Sequence, residues 1–205
     1  KQNMKETTPS GMFYDRNIEG MWVMGEGAVY RDFDKKVHYI SRAELQKVNF
    51  VKFIAGVDWG YEHFGAIVLI GKDDQGCYYL IREIARQFEE IDFWLEQAQA
   101  MKAEYGNIPF YCDSARPEYV KKFKKNGLRA VNANKAVLSG IERVAQLYKN
   151  KLRIVDNVER FRDEIYMYVW NDKTGEPVKQ FDDVQDAIRY AIYTDENRGG
   201  IGILK

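Results

Sequence analysis

The sequence contains little cysteine, little proline and no excess of charge of either sign. Only two of its 205 residues are cysteine and four are proline. Cys77 and Cys112 lie in apolar, strand-like runs without CxxC spacing or a nearby histidine, which excludes a disulfide framework and a cysteine-based zinc site. We therefore expect both thiols to be reduced, buried and structural, as is typical of cytoplasmic proteins.

Long apolar runs, a signal peptide and a phosphate-binding loop are also missing. No run approaches the roughly 18 apolar residues of a membrane-spanning helix, and the N-terminal residues lack a signal-peptide pattern, so we expect no membrane partner. No GxxxxGK[ST] motif occurs, which excludes a P-loop ATPase from this chain. The 31 acidic and 31 basic side chains give a formal net charge of zero, so nucleic acid could be bound only by local patches.

From residue 51 onward the sequence has a clear order of strands and helices. Apolar runs at residues 51–58, 64–71 and 77–85, the last two separated by the hairpin sequence "KDDQG", predict an antiparallel meander of three strands. Helical spacing then alternates with short apolar runs up to a last helix in "DDVQDAIRYAIYTDE". This order predicts an α/β fold, a mixed sheet of three antiparallel strands plus parallel strands with helices on both faces.

We expect three segments along the chain. Residues 1–50 are irregular and are expected to be a lead-in outside the core, and residues 51–195 form the α/β domain. Residues 196–205 are expected to be a C-terminal tail. Because the chain begins without an initiator methionine, we expect it to be a piece of a longer protein.

Four aspartates lie where strands end or the last helix begins. Asp58 and Asp113 end strands, and Asp183 and Asp186 are three residues apart in one helix, where they can share a face. In an α/β sheet the ends of neighbouring strands meet at one crevice, so three segments could bring carboxylates together. Grouped carboxylates repel unless a cation joins them, and oxygen ligands suit Mg²⁺ or Mn²⁺. The sequence therefore predicts a metal site, in which two ions about 4 Å apart could support phosphodiester hydrolysis.

Each aspartate also has a structural interpretation. Asp58 in "DWG" is typical of a turn, and Asp113 or Ser114 could cap the helix that follows. Asp182 or Asp183 could cap the last helix and interact with its dipole. A metal-free binding module, in which all of these carboxylates are caps and turns, is therefore an alternative.

Five motifs together resemble the nuclease domain of the large terminase subunit of tailed bacteriophages. They are "GVDWG", the following "GAIVL", then "YCDSA", "NKAVLSGI" and "DDVQDAIRYA". The lead-in "GMWVMGEGAVYRDFD" is similar to the segment that joins the family's ATPase domain to its nuclease domain. The resemblance covers residues 11–195.

The resemblance implies a ribonuclease H-like fold and a metal-dependent endonuclease that cuts concatemeric viral DNA during genome packaging. Asp58, Asp113 and Asp186 would be the catalytic, metal-binding triad, holding two divalent cations, Mg²⁺ or Mn²⁺. Asp183 would be an additional metal ligand. The implied partners are double-stranded DNA, the ATPase domain of the same full-length protein, the portal and the small terminase subunit, in the host cytoplasm.

Local cations are the candidates for binding the DNA phosphates. Lys135, at a helix start after a strand, is the lysine that we favour near a phosphate, and Arg189 is expected either to neutralise the acids or to pair with one structurally. Glu62 and His63 are candidates for an extra ligand and a proton carrier, and residues 171–180 for a flap beside the DNA. A basic patch, which could equally be a solvated helix face, is formed by Lys121, Lys122, Lys124, Lys125 and Arg129.

Two other activities are compatible with the same acids. A junction resolvase or transposase core shares them and would differ in preferring branched DNA. An actin-like or sugar-kinase-like ATP-binding module also begins with an aspartate and glycines in a hairpin. Tyr61, Glu62, His63 and Phe64 replace the small and hydroxyl-bearing residues that such a hairpin needs, which disfavours ATP binding.

Overall fold

A computed structural model describes residues 27–198. Residues 1–26, about half of the expected lead-in, and residues 199–205, in the expected tail, lie outside the described part. The strands within it are β1 (Tyr39–Ile40), β2 (Phe50–Asp58), β3 (Gly65–Asp73), β4 (Tyr78–Arg86), β5 (Pro109–Cys112), β6 (Arg129–Asn132) and β7 (Leu152–Val155). The helices are α1 (Lys35–His38), α2 (Arg42–Leu45), α3 (Ile91–Tyr105), α4 (Pro117–Lys125), α5 (Val137–Tyr148), α6 (Glu159–Met167) and α7 (Asp183–Arg198).

The strands form one mixed sheet in the order β1-β7-β4-β3-β2-β5-β6. β2, β3 and β4 are the antiparallel meander, and β5, β6, β7 and β1 add to its two sides through parallel pairings. The predicted mixed sheet is therefore confirmed. Within residues 27–198 no helix has the length and apolarity needed to cross a lipid bilayer.

Helices cover both faces of the sheet, as predicted, because successive strand residues face opposite sides. In β2, Ile54 belongs to the core layer under α5, α6 and α7, whereas Ala55 and Val57 belong to the layer under α3 and α4. The sheet is therefore buried on both sides along its centre. The same alternation determines which face of the sheet Asp58, the last residue of β2, points to.

Helix α7 lies directly on β2, β3 and β5. Gly56 makes this close approach possible, since a Cβ at this position would overlap the carbonyl oxygen of Ala187. Gly140 in α5 makes similar room for the aliphatic stem of Arg189. The two glycines set α7 close against the strand that ends at Asp58.

Part of the expected lead-in belongs to the core. Tyr30 and Phe33 are buried among residues of α5, α6 and β7, and β1 pairs with β7 at the edge of the sheet. Buried His38 contacts the carbonyl oxygen of Tyr148 through Nε2 at 2.5 Å. The expectation that residues up to 50 stay outside the core is therefore wrong for this segment, because its few large rings fill space beside α5 without any periodic pattern.

Two smaller expectations are also corrected. Cys112 is free and buried as predicted, but Cys77 is free, only partly buried and lies in the turn before β4. Asp73, which precedes this turn, holds it by accepting hydrogen bonds from the backbone N–H groups of Gln75 and Cys77. Residues 196–198, which were expected in the tail, complete α7.

Candidate metal centre

Asp58 and Asp113 lie side by side at the carboxyl ends of two parallel strands. Val57 of β2 is in register with Cys112 of β5, and the Asp113 N–H donates to the Val57 carbonyl at 2.9 Å, so the pairing continues to the aspartates. Asp58 follows the face of Ile54 and Gly56, and Asp113 follows the face of Tyr111. Both carboxylates therefore face the side of the sheet that α7 covers.

The first turns of α7 bring the other two predicted acids to the same place. Asp183 and Asp186 are buried, and together with Asp58 and Asp113 they line one crevice at this edge of the sheet. Four carboxylates from three segments of the chain therefore share a crevice, as the sequence predicted. The expected capping role of Asp113 or Ser114 is wrong, because α4 begins at the cap residue Arg116 and Asp113 accepts from Ala115 N–H at 3.0 Å instead.

Asp58 is the most electrostatically perturbed of these acids. Burial raises its pKa well above the usual range, and the neighbouring carboxylates of Asp186, Asp113 and Asp183 raise it further. Its carboxylate has no hydrogen-bond or ion-pair partner within residues 27–198. A nearby cation would favour the ionised form of such a group, because it would offset both the burial and the repulsion from the other acids.

Replacement Asp58→Asn is expected to raise the melting temperature of the protein in EDTA. The unfolded chain loses the Asp58 proton near its ordinary pKa of 3.8, whereas the folded protein keeps it to higher pH. The free energy of unfolding of the unmutated protein therefore falls as pH rises through this window, and the amide removes that loss. Each kcal/mol recovered corresponds to about 2–4 °C for a domain of this size.

Thermal unfolding of both proteins between pH 4.5 and 8 checks this expectation. The gap between the two melting curves should widen with pH. The control Asp74→Asn, in the exposed turn after β3, should have the same melting temperature as the unmutated protein at each pH. If the melting temperatures of Asp58→Asn and the unmutated protein changed with pH in parallel, this expectation would be contradicted.

The remaining acids are paired with cationic side chains. Lys135 lies 2.5 Å from Asp113, and the fully buried Arg189 lies 2.8 Å from Asp186. Lys179, in the segment 171–180 that was predicted to be a flap, lies 3.6 Å from Asp186. With side chains so placed, no group of three or more His, Cys, Asp or Glu residues within 27–198 could hold an ion. The oxygen donors suit a hard divalent cation, but Asp113 and Asp186 would have to turn away from these partners to bind it.

Arg160 and Glu164 of α6 support this crevice, although sequence analysis did not single them out. The fully buried Glu164 accepts from the N–H groups of Val184 and Gln185 at 2.8 and 3.1 Å, so it caps the start of α7. Arg160 donates to Glu164 at 2.7 Å and to Asp183 at 3.0 Å. Burial raises the pKa of Glu164 to about 8, although Arg160 and the two N–H groups favour the charged form. The side chain that accepts from the first N–H groups of α7 thus comes from α6, whereas Asp183 pairs with Arg160.

The predicted accessory residues divide into two groups. Lys135, Glu62 and His63 line the crevice, and His63 Nδ1 lies 3.2 Å from Asp183. Arg189 pairs with Asp186, one of its two expected roles, and also donates to the carbonyl of Ala136 at 3.1 Å. The basic patch of α4 and β6 does not contribute to the lining; its members are Lys121, Lys122, Lys124, Lys125 and Arg129.

Comparison with family models decides the relationship of this chain. Residues 55–194 match the terminase RNase H-like domain model, and this range includes Asp58, Asp113, Asp183 and Asp186. The chain belongs to the terminase RNase H-like domain family. The match favours a terminase over the resolvase, transposase and ATP-binding alternatives, and it confirms the predicted ribonuclease H-like class of fold. Comparison with curated protein sequences finds no significant match.

Solved terminase structures share this fold. The large terminase of thermophilic bacteriophage D6E, in complex with ATP-γ-S, superposes with a TM-score of 0.71 at 23% identity, over 95% of this chain and 51% of that one. This chain thus spans about half the length of the D6E protein. The nuclease domain of the P22 large terminase gives 0.68 at 20% identity, over 85% and 95% of the two chains. The nuclease domain of the bacteriophage SPP1 large terminase, with bound Mn, gives 0.60 at 20% identity, over 77% and 97%.

Proposed function

We propose that this terminase domain is a metal-dependent endodeoxyribonuclease that cuts concatemeric viral DNA during genome packaging. The observation that supports this most is the meeting of Asp58, Asp113 and the acids of α7 in one crevice of a terminase-family fold. An open crevice lined by carboxylates suits cleavage of a phosphodiester in the presence of divalent ions.

Asp58, Asp113 and Asp186 are the proposed metal-binding triad, with Asp183 as an additional ligand. They would hold two divalent cations, Mg²⁺ or Mn²⁺, and the SPP1 nuclease domain with bound Mn supports this choice. When bound, such ions lower the pKa of an attacking water and neutralise the leaving oxygen. Asp58, at the end of β2 and without a cationic partner within residues 27–198, is the acid that would be most available to hold a divalent ion.

Lys135 is the proposed phosphate-binding lysine of the crevice. Its ammonium group pairs with Asp113 and its side chain is 42% exposed, so it can turn toward a DNA phosphate when Asp113 binds a metal. Phosphate contacts of this kind position DNA without reading its sequence. The basic patch of α4 and β6 remains a prediction for a more distant contact with DNA, and its Lys122 is paired with Asp92 at 2.6 Å.

The remaining partners are proposed from the family. The D6E large terminase, of which this chain spans about half, was solved with an ATP analogue, which supports an ATPase domain as the partner of this domain in a longer protein. The portal and the small terminase subunit would bring DNA to that assembly in the host cytoplasm. With no net charge, this domain is expected to bind DNA weakly unless the rest of the motor delivers it.

Plasmid cleavage tests the proposed function. Supercoiled plasmid is incubated with the protein in EDTA, Mg²⁺ or Mn²⁺, and nicked and linear products are quantified. We expect products only with a divalent ion. Absence of cleavage in every condition, together with no Mn²⁺ binding by calorimetry, would contradict the proposal and favour structural roles for the acids.

A further inference from the structure

Two aromatic side chains are exposed side by side at the rim of the crevice. Within residues 27–198, Tyr61 and Phe88 are the only exposed tyrosine, phenylalanine or tryptophan side chains, at 46% and 64% exposure. Their rings contact each other edge to face, with centroids 5.8 Å apart. Aromatic residues elsewhere in this part of the chain are buried or partly buried, so exposure is specific to this pair.

Backbone contacts fix the two rings next to each other. The Phe88 N–H donates to the Tyr61 carbonyl at 2.8 Å, and Gln87 Nε2 donates to the Glu62 carbonyl at 2.7 Å. Phe88 also has a φ of 60°, in the left-handed region that a phenylalanine rarely adopts. Such strain persists where the surrounding structure imposes it, and it often marks functional sites. The chain therefore holds two large apolar rings in water at a conformational cost.

The pair is close to the proposed metal centre. Tyr61 lines the crevice and follows Asp58 by three residues, so their Cα atoms are at most about 11 Å apart. Successive nucleotides in a duplex strand are separated by about 3.4 Å along the helix axis. A ring at this position is thus within a few nucleotides of a phosphate bound near Asp58.

We propose that Tyr61 and Phe88 form a stacking site for an unpaired base of the DNA strand that is cut. The inference rests on the proposed nuclease function and adds a contact to the bases beside the phosphate site. Stacking on aromatic rings tolerates any base, because every base has a π-face. The pair would thus favour DNA that is locally unpaired next to the cleavage position, without selecting a sequence.

The site is tested with Tyr61→Leu/Phe88→Leu, which keeps apolar bulk but removes both rings. Binding is measured by fluorescence anisotropy in Ca²⁺, which accepts carboxylate oxygens. The probes are a labelled duplex with one unpaired adenine and the same duplex fully paired. We expect the unmutated protein to prefer the duplex with the unpaired base. The variant should lose roughly 5- to 100-fold in affinity for that probe and much less for the paired one.

Val51→Ala is the matched control, because Val51 is 61% exposed but lies near the opposite end of β2 from Asp58. It should bind both probes like the unmutated protein. Equal affinities of the double leucine variant and the unmutated protein for the probe with the unpaired base would overturn the stacking site. So would an unmutated protein that shows no preference between the probes.

Plasmid cleavage in Mg²⁺ or Mn²⁺ separates this inference from the proposed function. The unmutated protein could cut plasmid and yet show no preference for the unpaired base, or the double leucine variant could bind that probe as tightly. In either case the stacking site fails and the nuclease function stands. If no protein cuts plasmid or binds Mn²⁺ by calorimetry, while the preference for unpaired DNA is seen and lost with the rings, the nuclease function fails instead.

Discussion

Replacement of Asp186 by asparagine is expected to reduce the rate of plasmid cleavage by more than about a hundredfold. Asparagine has nearly the same shape but no charge, so it should weaken the binding of a divalent ion. Because it also leaves the buried Arg189 without its ionic partner, the variant is compared with the unmutated protein at temperatures where both are fully folded. Residues that merely support metal ligands already change activity or affinity by about 10- to 100-fold when mutated. The rate of nicking in Mn²⁺ and the affinity for Mn²⁺ by calorimetry measure the effect.

Asp58→Asn is expected to have at least the same effect on cleavage, although it should raise thermal stability in EDTA. Asp74→Asn, which removes an exposed carboxylate from the turn after β3, should cleave at the unmutated rate. Normal cleavage by Asp186→Asn would show that its ion pair with Arg189 is structural and that this acid is not a ligand. The opposite effects of Asp58→Asn on stability and activity are typical of a residue kept for function.

The positions of the strand-end acids could be predicted because strands alternate their faces. Asp58 is an even number of residues from Ile54 and Gly56, so it points to the same face of the sheet as they do. Asp113 likewise points to the face of Tyr111. Both aspartates must then face the same core layer if β2 and β5 are neighbours. The three-residue spacing of Asp183 and Asp186 similarly puts them on adjacent parts of one helix surface. Local periodicity, together with the expected adjacency of β2 and β5, is thus sufficient for these four acids.

The supporting residues could not be predicted in the same way, because their partners are distant in sequence. Glu164 caps a helix that starts 19 residues later, and nothing near Glu164 indicates which N–H groups it will meet. One signal was present, since Glu164 lies on the same helix face as the buried Phe161 and Ile165. A glutamate in that position requires a buried partner, and Arg160, four residues earlier, supplies it.

Residues 27–40 and the basic patch show two other limits of sequence patterns. Tyr30 and Phe33 enter the core as single rings from irregular backbone, so neither helical nor strand spacing reveals them. The lysines of α4 are dense in sequence, but Lys122 pairs with Asp92 and the patch lies outside the crevice lining. Charge density in a sequence therefore does not by itself locate the surface near a reacting phosphate.

Replacement Glu164→Ala is expected to lower the free energy of unfolding by about 3–5 kcal/mol, which is typical of removing one partner from a buried ion pair. The change removes the contact of Arg160 with Glu164 at 2.7 Å, so that only Asp183 still pairs with Arg160. It also leaves the N–H groups of Val184 and Gln185 without their acceptor. A loss of this size should lower the melting temperature by roughly 10 °C. Thermal and urea unfolding of the metal-free protein measure it.

The effect should extend to metal binding, because Glu164 fixes the helix turn that holds Asp183 and Asp186. We expect weaker Mn²⁺ binding in Glu164→Ala at temperatures where the variant is fully folded. The stability and Mn²⁺ affinity of Glu164→Gln should lie between those of Glu164→Ala and the unmutated protein. The amide oxygen of glutamine can accept from the N–H groups, but the uncharged amide cannot form an ion pair with Arg160. Asp163→Ala, which removes an exposed acid from the same helix, should change neither property. A Glu164→Ala protein with unmutated stability and Mn²⁺ affinity would show that α7 is positioned by its packing on β2 alone.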